Sequence, residues 1–321
     1  MKYLEVSGVK VSSIGLGTWQ FGSKEWGYGA EYAEKTAFDL VHRALELGVN
    51  LIDTAEFYGF GKSETVVGKA ISGLRDQVYI ATKLFPIFPI RSLVRSRAQA
   101  SAARLQVDSL DLYQLHWPNP VVPISETTKG LRELLNDGLV ANVGVSNFSL
   151  NQWRSAEISL GKPIISNQVH FSLLTRGPEA ELLPFAQANN RMIIAYSPLE
   201  QGVLSGKYSS SNRPKGMRAA RKFFYPVNLN RVRPLLDKLA QIAKSHDATS
   251  SQIALAWLIA KPNVSAIPGA ANVAQLESNV AAAEIELSRD EIDTLDEMSS
   301  QFEPIGPGAL LTDLKTLIRH H

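Results

Sequence analysis

The sequence predicts an α/β fold in which eight parallel strands, each followed by helical chain, close into a single (β/α)8 barrel. Three observations carry that prediction. Short apolar strand-like runs alternate with amphipathic helical stretches along the chain. No Pro/Gly/Ser-rich linker divides it, which favours a closed barrel over an open, doubly wound sheet. The length of 321 residues suits one such barrel with insertions. Strand–helix–strand units imply right-handed crossovers and therefore parallel strands.

The strands are read at Ser13–Leu16, Asn50–Asp53, Val78–Thr82, Leu110–Leu115, Ala141–Val145, Ile164–Asn167, Met192–Tyr196 and Val264–Ile267, each a short run rich in aliphatic or β-branched residues. A hairpin before Ser13 is expected to cap the barrel floor. Helical periodicity places helices at Ala33–Leu47, Glu64–Gly73, Ile90–Leu105, Ser125–Asn136, Leu150–Ser159, Pro178–Asn189, Leu229–Ser245 and Val273–Ala282. Two more are expected at Ser250–Ala260 and Arg289–Met298. Gly48, Gly73, Gly138 and Gly161 sit where helices should end, the position that favours a residue without a Cβ. A single domain over residues 1–321 is expected, with the tail over 300–321 peripheral.

Composition narrows the chemistry. With 33 Lys+Arg against 31 Asp+Glu the net charge is +2, which excludes the global attraction used by non-specific nucleic-acid binders. The absence of Cys removes disulfides, thiolate nucleophiles and cysteine-held metal centres, and fits a reducing, cytoplasmic setting. No run of 18 apolar residues occurs, so no membrane span is expected, and the N-terminus lacks the apolar core of a signal peptide. His42, His116, His170 and His246 are widely spaced with no metal-ligand pattern, so no metal is expected. A small-molecule partner and a monomer are the default expectations.

The longest irregular stretch, over residues 200–228, is of the kind that forms binding loops. From Gln201 to Leu236 it holds no acidic residue but carries Lys207, Arg213, Lys215, Arg218, Arg221, Lys222, Arg231 and Arg233. Such a run is either a solvated loop or a clamp for a phosphate-bearing ligand, because Arg and Lys supply charge-assisted donors.

Three short motifs fail on context. Gly15–Gln20 lacks the third glycine and the helix of a dinucleotide fingerprint. Gly61-Lys62-Ser63 has Glu56 where a P-loop needs glycine. Tyr58 and Lys62 have a dehydrogenase-like spacing, but Gly59 and Gly61 place them on a loop instead of a helix.

In a parallel barrel, functional groups gather at the carboxyl ends of the strands. There the sequence places Asp53, Tyr58, Lys83 and His116. A phenol with its ordinary pKa of about 10 is a weak proton donor. A Lys ammonium beside it should draw that value down, and an Asp should keep the Lys charged. An imidazole nearby can hold a carbonyl oxygen.

The motifs at these strand ends resemble the aldo-keto reductase superfamily over almost the whole chain. They are Ile14-Gly15-Leu16-Gly17-Thr18-Trp19, Asp53-Thr54-Ala55-Glu56-Phe57-Tyr58-Gly59 with Gly61, Ser63-Glu64 and Gly68, and Ala81-Thr82-Lys83. Asp111–His116, Gly144–Phe148, Tyr196-Ser197-Pro198-Leu199, Gly202, Leu204, Gly206-Lys207-Tyr208 and Ile267–Ala270 with Gln275 and Asn279 continue the match.

The resemblance implies NADPH laid across the barrel top, with Tyr58 as proton donor, Lys83 and Asp53 tuning it, and His116 orienting the carbonyl. It implies Ser146, Asn147 and Gln168 for the nicotinamide amide and Tyr196 for its ring. Leu199, Gly202, Leu204 and Lys207 would line the pyrophosphate, and Gly269, Gln275 and Asn279 the adenosine end; Gly17, Thr18, Trp19 and Ser197 are also assigned to the cofactor. Many members carry Lys-Ser and a later Arg near the 2′-phosphate, where this chain has Gly269-Ala270 and Gln275. It is more similar to the branch of bacterial and plant reductases and potassium-channel β subunits, in which the basic loop supplies that contact, so Arg218 is the residue expected there.

Trp19, Trp26, Phe57, Phe85, Phe88 and Trp117 are expected around an apolar substrate pocket. Such a wall suits aromatic or aliphatic aldehydes and ketones, with sugars, pyridoxal and dicarbonyls also open. Three function classes follow: an NADPH-dependent carbonyl reductase of the alcohol dehydrogenase type, a cofactor-binding regulatory subunit, and a barrel lyase using Lys83 as a Schiff-base nucleophile.

Overall fold

The computed structural model describes residues 1–22 and 30–306. Its first strands, β1 (Tyr3–Val6) and β2 (Val9–Ser12), pair antiparallel. The two residues between them, Ser7 and Gly8, both have positive φ, at 50° and 80°, as a tight hairpin turn requires.

The main sheet holds eight strands in sequential order: β3 (Leu16–Gly17), β4 (Leu51–Asp53), β5 (Tyr79–Leu84), β6 (Leu110–Leu115), β7 (Val140–Ser146), β8 (Ser166–His170), β9 (Met192–Tyr196) and β10 (Val264–Ala266). Every neighbouring pair is parallel. A parallel bridge between Ile14 and Ala266 joins the ends of the series. The helices are α1 (Ala30–Glu46), α2 (Lys62–Ala70), α3 (Arg91–Leu105), α4 (Ile124–Asn136), α5 (Leu150–Leu160), α6 (Leu182–Ala188), α7 (Pro226–Arg231), α8 (Arg233–Ser245), α9 (Ser250–Ile259), α10 (Val273–Ala281) and α11 (Arg289–Ser300). None of the described helices is long and apolar enough to cross a membrane.

The strand period of two divides the apolar residues into two cores. Ile52, Ile80, Tyr113, Val143 and Ile193 pack outward with the helices. Leu51, Ala81, Leu112, Met192 and Ile194 fill the barrel with Val6 and Val11 of the hairpin, which closes its floor. One further step of two residues along β4, β5, β6 and β9 brings Asp53, Lys83, Gln114 and Tyr196 to the upper interior, where Gln168 of β8 meets Asp53. The cost of burying these polar groups falls at one end of the barrel only.

Local signals set the helix boundaries. Ser149, Thr249 and Ser288 each form a capping box with the Gln or Glu three residues on. The expected helix over Pro178–Asn189 instead begins as a 3₁₀ turn, and only α6 is helical. Pro184 has no N–H to give Ala180, so it is accommodated in the first turn of α6. Pro234 likewise separates α7 from α8, where periodicity predicts one helix over Leu229–Ser245. β8 reaches His170, three residues past the apolar run that suggested its end, because the polar Asn167 and Gln168 pair into the sheet. The irregular stretch after β9 contains 3₁₀ turns at Glu200–Ser205, Gly216–Ala220 and Lys222–Phe224.

α2 crosses α3 at Gly68, where a Cβ would lie 2.6 Å from the Arg104 carbonyl oxygen and from Leu105 backbone atoms. Gly68→Ala is expected to cost about 1–3 kcal/mol by overpacking against backbone that cannot rotate away. Urea unfolding midpoints of the two proteins measure this directly, and equal midpoints would refute it.

Candidate active site

A lysine ammonium with no solvent exposure stands at the top of β5. Lys83 Nζ donates to Asp53 Oδ1 and Oδ2 at 2.6 and 2.8 Å, to the Thr54 carbonyl at 2.8 Å and to Tyr58 Oη at 2.9 Å. Asp53 ends β4, and Tyr58 lies five residues on in the loop that turns into α2. Gln168, on β8, donates its amide to Asp53 Oδ1 at 2.7 Å from across the barrel. His116 follows β6, its ring edge-on to that of Tyr58 with centroids 5.8 Å apart. The structure therefore brings all four predicted groups together.

Burial governs their charge. It pushes Asp53 up and Lys83 down, and each partner counteracts the other, so the two are held as an ion pair. Burial, then the Asp53 carboxylate and then Tyr196 push the Tyr58 phenol well above its ordinary value. This corrects the expectation that Lys83 draws the phenol down, since desolvation wins. Because Lys83 donates to Oη, the phenol's own proton is directed elsewhere. Burial, followed by Lys83, lowers His116 to about 2, so its imidazole is neutral. Its Nδ1 is buried without a hydrogen-bond partner among the described residues.

Beside this cluster lies a connected polar patch. Ser146 Oγ donates to the Gln168 carbonyl at 2.8 Å, and Asn147 Nδ2 donates to Ser146 Oγ and the His116 carbonyl. Tyr196 Oη donates to Asn147 Oδ1 at 2.9 Å. Asn147 and Ser197 both take positive φ, at 61° and 50°, which turns the chain sharply at the strand ends. After β9 the turn through Leu199 continues with left-handed Glu200, Gln201 and Gly202, and the acid-free loop carries Lys207 and Arg218. An aromatic face, amide-matching groups and a cationic loop in succession fit a nicotinamide dinucleotide.

Several assigned residues serve that loop frame through their own bonds. Thr18 is fully buried, and its hydroxyl donates to the Asp53 carbonyl at 2.8 Å. Leu204 is also fully buried in the outer core, which leaves only its backbone for a ligand. Gly17 ends β3, and a Cβ there would meet the Ile267 carbonyl oxygen at 2.7 Å. At the far end, Gln275 accepts from Ala271 N, and Asn279 donates to the Gly269 carbonyl. Arg213 donates to the carbonyls of Phe224 and Ala219, which folds the basic loop.

The aromatic rim is present. Trp19 packs edge-on to Tyr58, Phe57 stacks on Phe85 with centroids 4.2 Å apart, and Trp117 stacks on His116 at 4.0 Å. Trp19, Phe57 and Trp117 are each about two-fifths exposed, and Phe88 is more exposed still. Trp26 lies outside the described residues. A separate cavity of about 240 Å³ lies behind Trp117 and is lined by Leu84, Pro86, Leu115 and Phe148, but no member of the cluster borders it.

Sequence reasoning missed three contributors. Gln20 donates to the Ala270 carbonyl and covers Gly269, where a Cβ would meet its amide oxygen at 2.7 Å. Glu56 accepts from Phe85 N and from Arg97, which ties the Tyr58 loop to the aromatic wall. His170 stacks on Tyr196, and its place two residues past Gln168 on one strand was the available signal.

The chain belongs to the aldo/keto reductase family, whose model matches residues 13–300. It is 53% identical over 315 residues, 98% of each chain, to an uncharacterized oxidoreductase of Mycobacterium tuberculosis. It is 32% identical to the NADH-specific methylglyoxal reductase of Escherichia coli, over 94% of this chain and 98% of that one. An aldo-keto reductase from Klebsiella pneumoniae, solved in complex with NADPH, matches with a TM-score of 0.76 at 30% identity, over 95% of this chain and 97% of that one. The chain is thus an oxidoreductase of this family.

The neutral His116 has a consequence for stability. Its pKa is held far below the ordinary imidazole value of 6.5, so between the two values the unfolded chain binds a proton that the folded chain refuses. Stability therefore falls as pH drops, by about 2 kcal/mol from this group between about pH 7.5 and about pH 5. Urea unfolding at both pH values should show a smaller loss for His116→Gln than for the unaltered protein, and equal losses would disprove it.

Proposed function

We propose that this protein is an NADPH-dependent reductase of aldehydes and ketones, with Tyr58 as the proton donor. The observation that carries the reading is the charge chain from Asp53 through Lys83 to the Tyr58 oxygen, set beside a neutral His116. A bound reduced nicotinamide supplies the hydride.

The chain's own groups handle the oxygen. A neutral imidazole can donate one N–H to a substrate carbonyl, which orients it and polarises it without adding a full charge. Tyr58 gives its proton to that oxygen, and the phenolate left behind keeps the hydrogen bond from Lys83. The raised phenol value keeps the proton in place until a strongly basic alkoxide develops. Ser146, Asn147 and Gln168 would hold the carboxamide, and Tyr196 would support the ring. Lys207 and Arg218 would meet the phosphates, with Arg218 deciding the preference for NADPH over NADH.

The exposed rim of Trp19, Phe57, Phe88 and Trp117 favours apolar carbonyl compounds over polyhydroxylated ones. The lyase reading fits less well, because Lys83 is fully buried and its ammonium is held by four oxygens. A regulatory cofactor-binding role would not require this complete acid–base set. A single barrel unit acting as a monomer is sufficient for the proposed chemistry.

Tyr58→Phe should lower kcat for NADPH oxidation by about 10²-fold or more across a panel of carbonyl compounds, with NADPH binding little changed. Full turnover by the variant would rule out Tyr58 as donor, and borohydride trapping at Lys83 without nucleotide dependence would favour the lyase. Arg218→Ala should weaken NADPH binding by about tenfold while leaving NADH binding unchanged. Near-equal affinities for both nucleotides, unaltered by the substitution, would remove the NADPH assignment.

A further inference from the structure

Tyr196 has a second ring behind it. His170 ends β8 opposite Tyr196 in the sheet register, and the two rings stack with centroids 5.4 Å apart and planes 13° from parallel. Behind His170 sits Glu200, only 3% exposed, with Oε1 2.9 Å from the imidazole Nε2. The approach lies off the line of a hydrogen bond. The same carboxylate oxygen accepts from Ser172 Oγ at 2.6 Å and from Thr175 Oγ1 at 2.7 Å.

Glu200 differs from the other buried carboxylates among the described residues. Asp53 is paired with Lys83, and Glu64 with Arg104. The partners of Glu200 are two hydroxyls and an imidazole, which leave its negative charge largely uncompensated. Two hydroxyl donors satisfy one carboxylate oxygen at that spot. The charge reaches Tyr196, whose phenol is pushed up first by burial and then by Glu200, with Arg221 pulling the other way.

We infer that Glu200, seated behind His170 and Tyr196, selects the redox state of the bound cofactor by favouring the oxidised form over the reduced one. The inference rests on the proposed nicotinamide site at Tyr196. An oxidised nicotinamide ring carries a positive charge, and a reduced one is neutral. A fixed anion in a poorly solvated position attracts the first and leaves the second nearly unaffected. The stacked His170 and Tyr196 rings stand between the carboxylate and the side of Tyr196 that would face the nicotinamide. The ion pair of Asp53 and Lys83 has little net charge and cannot provide this bias. Glu200 is thus a positioning and selecting group that needs no contact with the reacting atoms.

Fluorescence titration of the intact protein with NADP+ and with NADPH at about pH 8 tests the inference. Glu200→Gln keeps an acceptor for both hydroxyls and removes the charge. It should weaken NADP+ binding by about five- to tenfold and change NADPH binding less than about twofold. His170→Lys puts a permanent ammonium against Glu200 and should shift the ratio in the same direction, so the test survives if one variant misfolds. Parallel weakening of both nucleotides, or an unchanged ratio in the folded variants, would overturn the inference and leave the cofactor reading intact. Failure of the unaltered protein to bind either nucleotide would remove the underlying reading instead.

Discussion

A fully buried ammonium is the constraint on which the upper half of this barrel depends. Lys83 cannot be left unpaired, because removing a charge from water costs several kcal/mol in real proteins. The remedy is built from four elements. β5 carries the lysine, β4 the aspartate, the loop after β4 two oxygen acceptors, and β8 the glutamine that holds the aspartate in place. Desolvation works against both charges and pairing offsets it, so the close geometry of the two groups is what keeps them together. The same pair presents a donor to one phenol oxygen, that of Tyr58.

The rest of the structure keeps that arrangement dry and in register. The hairpin β1–β2 plugs the floor with Val6 and Val11, and the inward aliphatic layer above it supports Asp53 and Lys83. The loops at the top are fastened to one another instead of to solvent. Ser63 bonds Thr18 and Thr54, Gln20 bonds Ala270, and Glu56 links Arg97 to the Phe85 backbone. Buried polar groups that are satisfied in this way hold loops to single conformations. The polar patch around Asn147 joins the Asp53–Lys83–Tyr58–His116 cluster to Tyr196, so the two halves of the candidate site share one hydrogen-bonded frame.

Much of this was legible in the residues. Strand ends can be counted, so Asp53, Lys83 and His116 could be placed on one rim before any contact was known. Helix starts at Ser149, Thr249 and Ser288 follow from side chains that bond backbone three residues away. The breaks at Pro184 and Pro234 were also written locally, but amphipathic periodicity overrode them. The extension of β8 to His170 was hidden because polar residues on an inward barrel face look like a loop when only apolarity is followed.

What the sequence determined by itself was therefore local and periodic: the alternation of strands and helices, the caps, the acid-free loop and the residue types at each strand end. Only the tertiary structure decided the electrostatics. The sequence suggested that Lys83 would lower the Tyr58 phenol, yet burial and Asp53 raise it. Likewise, Glu200 looked like one more loop residue until the fold set it behind His170 and Tyr196, without a Lys or Arg partner among the described residues. The physical reason is common to both cases. Charge states depend on the distance to other groups and to water, and those distances are set by strands far apart in the chain.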